Sequence, residues 1–250
     1  ISGDGVADVL IGAGGRPYFY AINGKNGETL WRFKTKSTAG FVNGSGVHAS
    51  ATVLLEKGAT PQIIVTESYG ITHYLDTKGN SEKYIPNTIG IFSSPVFSPD
   101  GMMVNGASWM GKGNVDVTII RQESDWAYEK QSGLYYATHK TQMDGAPVAS
   151  VSASAFMADV LGNGSYQAGI ADEAGRFQLL NKDGGVVEIL ELPAGVEASI
   201  FVKDIDGDGM LEIVVACLDG NVYCYDTRSR GKVFWGQFRG NNANTGVMQR

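Results

Sequence analysis

The segment Glu212–Asp226 reads EIVVACLDGNVYCYD. It begins with an unbroken run of apolar residues, turns at Asp219–Gly220, and continues with a second, strand-like run. Aspartate followed by glycine between two such runs signals a β-hairpin, because both residues tolerate the positive backbone angles of a tight turn. The segment therefore predicts a pair of antiparallel strands.

The same plan recurs along the chain about every 40 to 60 residues, which is near the period of propeller blades. The predicted first strands are Asp8–Ala13, Gln62–Glu67, Met102–Ala107, Gln167–Ala171 and Glu212–Leu218. Their predicted partners are Tyr18–Ile22, Thr72–Asp76, Val115–Ile120, Arg176–Leu180 and Asn221–Asp226. Outer strands are predicted at Thr29–Lys34, Val186–Leu190 and Val233–Phe238. Segments of small residues predict innermost strands at Phe92–Val96, Ala146–Met157 and Ala198–Val202.

The first strands are continuous apolar runs, which indicates that both faces of each sheet are covered. Four-stranded blades packed around an axis cover both faces, and the repeated order of strands favours this arrangement over a β-sandwich. The sequence therefore predicts an all-β fold, a β-propeller of four-stranded antiparallel blades with about five units, as a single domain over residues 1–250. The unit around Asn114–Thr141 is the longest and least regular, so the number of blades stays open there.

The composition fits a globular protein rich in tight turns. Glycine accounts for 34 of 250 residues, hydrophobic residues make up 43% and charged residues 18%, a balance typical of folded chains. The net charge of −6 argues against nucleic acid or an anionic membrane as the main partner. No apolar stretch reaches the roughly 20 residues that a membrane-spanning helix needs.

Cys217 and Cys224 are too few to form a disulfide framework. A hairpin that turns at Asp219–Gly220 would place them on one face as diagonal neighbours, about 7–8 Å apart. That separation is marginal for a disulfide, and two buried free thiols are the other interpretation. Cysteine content therefore leaves the cellular compartment open.

The loop before the last hairpin is the sharpest chemical signal. It reads Asp204-Ile-Asp206-Gly-Asp208-Gly-Met210-Leu-Glu212, with carboxylates at positions 1, 3, 5 and 9. Alternate positions of a tightly turning loop converge, and calcium accepts six to eight hard oxygens in loose geometry. The predicted ligands are the side chains of the four acidic residues and the backbone carbonyl of Met210. An acidic surface turn without metal is the alternative.

This loop and the hairpin after it resemble an FG-GAP (VCBS-type) propeller repeat, in which such a loop holds calcium before a blade strand. The opening ISGDGVADVLIGAGG is similar to the same repeat cut after its first acidic position. The resemblance matches Ser2, Asp4, the Val6 carbonyl and Asp8 to positions 3, 5, 7 and 9 of a second calcium loop. Because position 1 would precede Ile1, we expect the domain to be truncated at its N-terminus and this site to be weak without that residue.

A third copy of the loop spans residues 159–167 and keeps the glycines. It has Leu161 at position 3 and Gln167 at position 9, so Asp159 is its one remaining carboxylate. We expect a structural turn that holds no metal.

A second resemblance is to the tryptophan-docking motif of quinoprotein (PQQ-like) propellers. The segment AINGKNGETLW, which ends at Trp31, carries it, with Asn23 and Asn26 in place of the family's Asp and Thr. Gly231 and Trp235 repeat the end of the motif, and the closing residues 235–246 resemble a segment found at the ends of such propellers. The resemblance implies that each tryptophan lies between adjacent blades.

No catalytic constellation is visible in the sequence. His48, His73 and His139 lack histidine partners at metal-ligand spacing, and neither a nucleophile elbow nor a P-loop occurs. Each histidine is expected to be a solvated or core residue. The quinoprotein dehydrogenases have more blades and usually adjacent cysteines, which this chain lacks. A carbohydrate-active enzyme needs a pair of carboxylates that nothing in the sequence selects.

We therefore expect a non-catalytic binding or scaffolding propeller, stabilised by Ca²⁺ and located outside the cytoplasm, as an extracellular, cell-surface or periplasmic protein. The resemblance to FG-GAP propellers implies a role in adhesion or in a larger chain or assembly, with a protein or carbohydrate partner. An enzyme of quinoprotein or carbohydrate-active type, with catalytic parts partly outside this chain, is the alternative.

Overall fold

The structure is a computed structural model that describes residues 1–35, 46–86, 90–109, 112–120, 126–129, 134–137, 140–142 and 149–249. These residues contain strands and turns and no helix, so the described part of the chain offers no helical membrane span. The strands are β1 (Val9–Gly12), β2 (Tyr18–Ile22), β3 (Thr29–Lys34), β4 (Thr52–Leu55), β5 (Gln62–Glu67), β6 (Ile71–Leu75), β7 (Ser81–Pro86), β8 (Val96–Phe97), β9 (Met102–Trp109), β10 (Lys112–Ile119), β11 (Trp126–Glu129), β12 (Leu134–Ala137), β13 (Lys140–Gln142), β14 (Phe156–Ala158), β15 (Gln167–Ala171), β16 (Arg176–Leu180), β17 (Val186–Glu191), β18 (Phe201–Lys203), β19 (Glu212–Ala216), β20 (Val222–Asp226), β21 (Val233–Trp235) and β22 (Val247–Gln249).

The strands form five antiparallel blades in chain order. Blade 1 is β1-β2-β3, blade 2 is β4 to β7, blade 3 is β8-β9-β10-β13, blade 4 is β14 to β17, and blade 5 is β18-β19-β20. Every predicted first strand and partner strand is present, with bounds that shift by at most a few residues. The all-β prediction and its repeated hairpin units are confirmed, but blades 1 and 5 have three strands among the described residues where four were predicted.

Apolar clusters join each blade to the next. One lies between blades 1 and 2, a second spans blades 2 to 4, and a third joins blades 4 and 5. Strands β5 and β15 are buried almost throughout, as their continuous apolar runs predict. The prediction that both faces of each sheet are covered is wrong for the first and last blades, where Ile11 is 50% exposed and Val222 is 69% exposed.

The innermost strands begin later than predicted. Strands β8, β14 and β18 start at or near the ends of the predicted segments, whose described residues form extended connections; residues 146–148 lie outside the described residues. Serine side chains there accept backbone hydrogen bonds in place of a strand partner. The N–H of Ser50 donates to Ser94 Oγ (3.1 Å), and the N–H of Ser94 donates to Ser154 Oγ (2.9 Å).

The prediction of an outer strand at Val233–Phe238 is wrong. Strand β21 pairs instead with β14, the innermost strand of blade 4, and the N–H of Val202 in blade 5 donates to the Gly236 carbonyl. Strand β22 then runs parallel to β4 in blade 2. This inner path buries Trp235 to 2% exposure, and its indole joins the apolar cluster that spans blades 2 to 4.

The irregular unit of blade 3 contains an inserted hairpin. Strands β11 and β12 lie between β10 and β13 in the sequence, and β12 pairs in parallel with β7 at the outer edge of blade 2. The Trp126 ring contacts Tyr74, with 5.1 Å between ring centroids. This insertion explains why the unit around Asn114–Thr141 departs from the repeat.

Cys217 and Cys224 do not form a disulfide, and their predicted placement on one face is wrong. The Cys217 N–H donates to the Asn221 carbonyl, so the turn is one residue longer than a hairpin that pairs Cys217 with Val222. A one-residue change of register moves a side chain to the opposite face. Cys217 is therefore buried against blade 4, whereas Cys224 is exposed.

Trp31 lies between two blades, as the resemblance implies. Its Nε1–H donates to the Thr77 carbonyl in the turn between β6 and β7 (2.9 Å). The indole packs on Gly79, whose φ is +82° and where an added Cβ would lie 2.7 Å from the ring. Trp235 packs on Gly240 in a similar way, but within the C-terminal segment rather than between outer strands.

Candidate metal centre

Three loops of one backbone design lead into blade strands. The loop of residues 204–212 (the acidic loop) joins β18 to β19, the loop of residues 159–167 (the neutral loop) joins β14 to β15, and residues 2–8 (the first loop) precede β1. Each has two glycines of positive φ at matching positions, where a side chain would be strained. They are Gly207 and Gly209, Gly162 and Gly164, and Gly3 and Gly5.

The acidic loop brings together three of its predicted ligands. One carboxylate oxygen from each of Asp204, Asp206 and Asp208 lies within 4.8 Å of the other two. Within the part of the chain that the structure describes, no other trio of acidic, histidine or cysteine side chains has this proximity. Asp206 and Asp208 are exposed, so water could supply further ligands.

Backbone N–H groups orient these carboxylates. Asp204 accepts hydrogen bonds from the N–H groups of Gly207 (2.7 Å) and Gly209 (3.0 Å). Asp206 accepts from the N–H of Asp208 (3.1 Å), and Asp208 accepts from the N–H of Met210 (2.7 Å). Each carboxylate oxygen has more than one acceptor site, so these bonds leave room for a cation. The donor set of hard oxygens fits calcium.

The last predicted ligand, Glu212, lies outside the converging trio. Its side chain is buried, and its Oε2 accepts from the N–H of Ile205 (2.8 Å). Glu212 thus braces the beginning of the loop against the beginning of β19. Met210 is half-buried. The hydrogen bond from its N–H to Asp208 holds its backbone one peptide before the carbonyl that is the predicted ligand.

In the first loop, Ser2 and Asp8 contact each other. Asp8 accepts from the N–H (2.7 Å) and the hydroxyl (3.1 Å) of Ser2. Asp4 accepts from the N–H of Val6 (2.9 Å).

Sequence analysis missed Asn23 as a partner of the first loop. Its Nδ2 donates to Asp4 (3.0 Å), and the pKa of Asp4 is lowered first by the Val6 N–H and then by this amide. The one signal in the sequence that could have pointed to Asn23 is its place in the tryptophan-docking motif, where it replaces the family's Asp.

The neutral loop repeats the hydrogen-bond frame with a single carboxylate, that of Asp159. Asp159 accepts from the N–H groups of Asn163 (3.1 Å) and Gly164 (2.9 Å). Gln167 accepts from the N–H of Leu161 (3.1 Å), and its Nε2 donates to the carbonyl of Ser165 (2.7 Å). Ser165 holds position 7, whose carbonyl is a predicted calcium ligand in the acidic loop.

A connector, residues 227–232, ties the acidic loop to the neutral loop. The N–H and the hydroxyl of Thr227 donate to the carbonyl of Leu211 (2.9 and 2.7 Å). The buried hydroxyl of Ser229 donates to the Asp159 carbonyl (2.6 Å), and the Asp159 N–H donates to the Lys232 carbonyl (2.9 Å). No local spacing in the sequence indicates this link between blades 4 and 5.

Arg230 of the connector also contacts the acidic loop. Its Nη2 lies 3.4 Å from the Asp208 carbonyl, and its guanidinium packs beside Gly209.

Of the three histidines, His73 is buried, with its Nδ1 3.2 Å from Ser81 Oγ. His48 is exposed, and His139 lies outside the described residues.

Comparisons with known proteins agree on the fold. Residues 174–248 match the model of the lambda-carrageenase β-propeller domain. Among solved structures, the chain is similar to BamB from Moraxella catarrhalis, with 13% identity and a TM-score of 0.54. It is also similar to Saccharomyces cerevisiae Sqt1, with 15% identity and a TM-score of 0.55, and to BBS1N from a complex with ARL6DN, with 13% identity and a TM-score of 0.54.

These matches cover 88% of this chain and 55% of BamB, 90% and 56% for Sqt1, and 90% and 63% for BBS1N. The chain therefore spans little more than half the length of these structures. No curated protein matches the sequence. At such low identities the likeness shows the fold alone, and the fold is that of a β-propeller.

Proposed function

We propose that this chain is a non-catalytic binding or scaffolding propeller of FG-GAP type, working outside the cytoplasm, whose fifth blade is stabilised by calcium. The observation that carries the proposal is the convergence of Asp204, Asp206 and Asp208 within 4.8 Å. Three carboxylates at that distance repel one another, and a divalent cation among them would turn the repulsion into attraction.

The residues of the acidic loop would have two roles, as calcium ligands and as a support for the loop. Asp204, Asp206 and Asp208 would supply side-chain oxygens and Met210 its carbonyl, while Glu212 holds the loop against β19 through Ile205. Extracellular calcium modules bind with Kd values of about 10⁻⁴ to 10⁻³ M. A loop with a Kd in this range would be filled by millimolar extracellular calcium, and for this reason the proposal places the protein outside the cytoplasm.

The ion would act on more than its own loop. Leu211, inside the loop, holds the connector through Thr227, and the connector holds Asp159 of blade 4. Fixing the acidic loop would therefore stabilise the junction of blades 4 and 5 and the position of β21. A rigid junction suits a scaffold that presents surfaces to a partner.

The partner is proposed to be a protein or a carbohydrate. One structure with this fold, BBS1N, was solved in a complex with ARL6DN, which supports a protein partner for a propeller of this shape. A carbohydrate-active role is the second candidate, because the family model that matches residues 174–248 describes a domain of lambda-carrageenase. The matched residues include the acidic loop.

A calorimetric titration of Ca²⁺ into the wild-type chain and the Asp206→Ala variant tests the metal claim. We expect saturable binding in the wild type and a loss of affinity of about 100-fold or more in the variant, since one charged ligand is removed. Asp219→Ala is the matched control, because Asp219 is an exposed acid of the same blade outside the loop. Equal affinities for the wild type and Asp206→Ala would sink the proposal.

The second candidate has its own test. The chain is incubated with lambda-carrageenan in calcium, and the release of reducing ends is followed. We expect none above a boiled control. Release that persists after repurification would favour the enzymatic role.

A further inference from the structure

Strand β17 is the outer edge of blade 4, and it is exposed along its whole length. It pairs with β16 on one side, and no described strand pairs with its other side. All of its residues are exposed, and four of them are large aliphatic residues at 39 to 46% exposure, namely Val186, Val187, Ile189 and Leu190. Such an edge presents a row of backbone N–H and C=O groups with which another strand can pair.

The apolar side chains of β17 lie on both faces of the blade. Ile189 is opposite Gln178, which shares the face toward blade 3 with Ile170. Leu190 is opposite Phe177, which belongs to the apolar cluster that joins blades 4 and 5. A strand added to this edge would therefore cover aliphatic side chains on both faces at once.

The outer strands of blades 1 and 2 are protected against such pairing. β3 carries the exposed side chains of Arg32 and Lys34, and charges of this kind discourage the addition of a strand. β7 is covered by β12, which pairs with it in parallel. β17 contains no basic residue and no proline. Blade 2 thus shows that an outer edge of this propeller accepts a further strand, and the edge of blade 4 lacks the devices that would prevent it.

Two carboxylates give this edge a preference for a basic strand. Glu188 and Glu191 are both exposed. Arg176 lies opposite Glu191 on β16, whereas Glu188 lies opposite Leu179 and has no cation across the pair. A second copy of β17 would bring two more carboxylates to the edge, whereas a strand with lysine or arginine would place an opposite charge there. The net charge of −6 favours the basic strand as well.

We propose that the outer edge of blade 4 binds an extended segment of a protein partner, rich in aliphatic and basic residues, which pairs with β17 as a further outer strand. In this mode of recognition backbone hydrogen bonds supply affinity, and alternate side chains supply specificity. Six residues of strand span about 20 Å, so a hexapeptide is long enough to cover the edge. The inference rests on the proposed binding role and names its surface and partner class, but it uses no residue of the acidic loop.

The test is a calorimetric titration of the chain with the capped hexapeptide Val-Lys-Val-Lys-Val-Lys. We expect saturable binding to the wild type. Ile189→Lys is expected to weaken it about tenfold or more, because a lysine on the edge repels the peptide and discourages strand pairing. Leu30→Lys is the matched control, since Leu30 is 36% exposed on the outer strand of blade 1, and it should leave the affinity unchanged. Circular dichroism of each variant checks that it is folded.

Two further peptides separate strand pairing from attraction between charges. The same hexapeptide methylated at every backbone nitrogen keeps its charge but cannot donate backbone hydrogen bonds, so we expect its affinity to fall about tenfold or more. The glutamate counterpart, Val-Glu-Val-Glu-Val-Glu, keeps the backbone donors and reverses the charge. We expect it to bind about tenfold more weakly than the lysine peptide, because it meets Glu188 with a like charge.

The inference is overturned if the lysine peptide does not bind, if it binds the wild type and Ile189→Lys equally, or if methylation leaves its affinity unchanged. Binding that survives Ile189→Lys but is lost in Val222→Lys would place the peptide on β20 of blade 5 instead. A wild-type dimer in sedimentation that Ile189→Lys dissociates would assign the edge to a second copy of this chain. Both of these results contradict the inference.

Running the peptide titration beside the Ca²⁺ titration separates the two proposals. Calcium binding without peptide binding contradicts only this inference. Peptide binding without calcium binding contradicts only the metal part of the proposed function.

Discussion

The acidic loop and the neutral loop share one backbone design and differ in how they close. In both, the first Asp accepts two backbone N–H groups, and the residue at position 5 accepts the N–H of position 7. In both, the residue at position 9 accepts an N–H from near the beginning of the loop. The frame is therefore set by glycines and backbone hydrogen bonds, not by charge.

The difference lies in what faces the carbonyl of position 7. Gln167 donates an amide hydrogen to the Ser165 carbonyl in the neutral loop. Glu212, at the same position in the acidic loop, is an acceptor when ionised and cannot donate to the Met210 carbonyl. The amide hydrogen of Gln167 thus satisfies this carbonyl in the neutral loop, whereas under the proposed function a cation from solution would take that place in the acidic loop.

The largest effect expected from this comparison is that of calcium removal. At a calcium concentration 100 times the Kd, binding stabilises the fold by about 2.7 kcal/mol, which is a melting-temperature shift of about 5 to 10 °C for a chain of this size. We expect this shift between 10 mM calcium and EGTA for the wild type and no shift for Asp206→Ala. A wild type that melts at one temperature in both buffers would break the comparison.

The second prediction grafts the charge pattern onto the neutral loop. Gln167→Glu removes the amide hydrogen from the half-buried Ser165 carbonyl and is expected to destabilise the chain by about 1 to 2 kcal/mol in urea unfolding. Adding Leu161→Asp and Asn163→Asp rebuilds the trio around Asp159, so that added calcium should recover most of the loss. Gln167→Glu as stable as the wild type would mean that the amide does not close the loop.

The third prediction concerns the connector between the two loops. Ser229→Ala removes the hydroxyl bond to the Asp159 carbonyl and leaves a buried acceptor, for a loss of about 1 to 2 kcal/mol. Ser165→Ala in the neutral loop is the matched control and should cost under about 0.5 kcal/mol, since the loop uses its backbone groups. Equal losses in the two variants would show that the connector does not couple the blades.

The smallest effect is expected at Asp219, an acid in a turn of the same blade. The Tyr223 hydroxyl, then the Asn221 side chain and N–H, hold the pKa of Asp219 below its ordinary value of 3.8. A lowered folded-state pKa contributes stability that is present above pH 3.8 and is lost as the pH falls through the lower value. Unfolding followed between pH 5 and pH 2 should show a slightly weaker pH dependence for Asp219→Asn, with no response to calcium. An unchanged pH profile would show that the hydrogen bonds of Asp219 do not contribute to the pH dependence of stability.

Local pattern predicted the hairpins well. Gln62–Glu67 and Gln167–Ala171 were located by apolar runs bounded by turn residues, because burial on both faces leaves that signature in the sequence itself. The loop 204–212 was located because alternate acids with intervening glycines form a local pattern. Its convergence follows from backbone geometry that glycine permits.

Pairings between distant segments were not predictable in this way. Val233–Trp235 has the composition of an outer strand, and only the connector and the burial of Trp235 place it beside β14. The Ser229 bond to Asp159 joins residues 70 apart. The faces of Cys217 and Cys224 depended on a turn one residue longer than expected, and no residue type in the turn fixes that length.

The most direct test of the account is a crystal structure grown in calcium, with anomalous scattering used to locate the ion. We predict one peak in the acidic loop, about 2.3 to 2.6 Å from oxygens of Asp204, Asp206 and Asp208 and from the Met210 carbonyl, and no peak in the neutral loop. An acidic loop without a peak, or a peak beside the Ser165 carbonyl, would contradict the account.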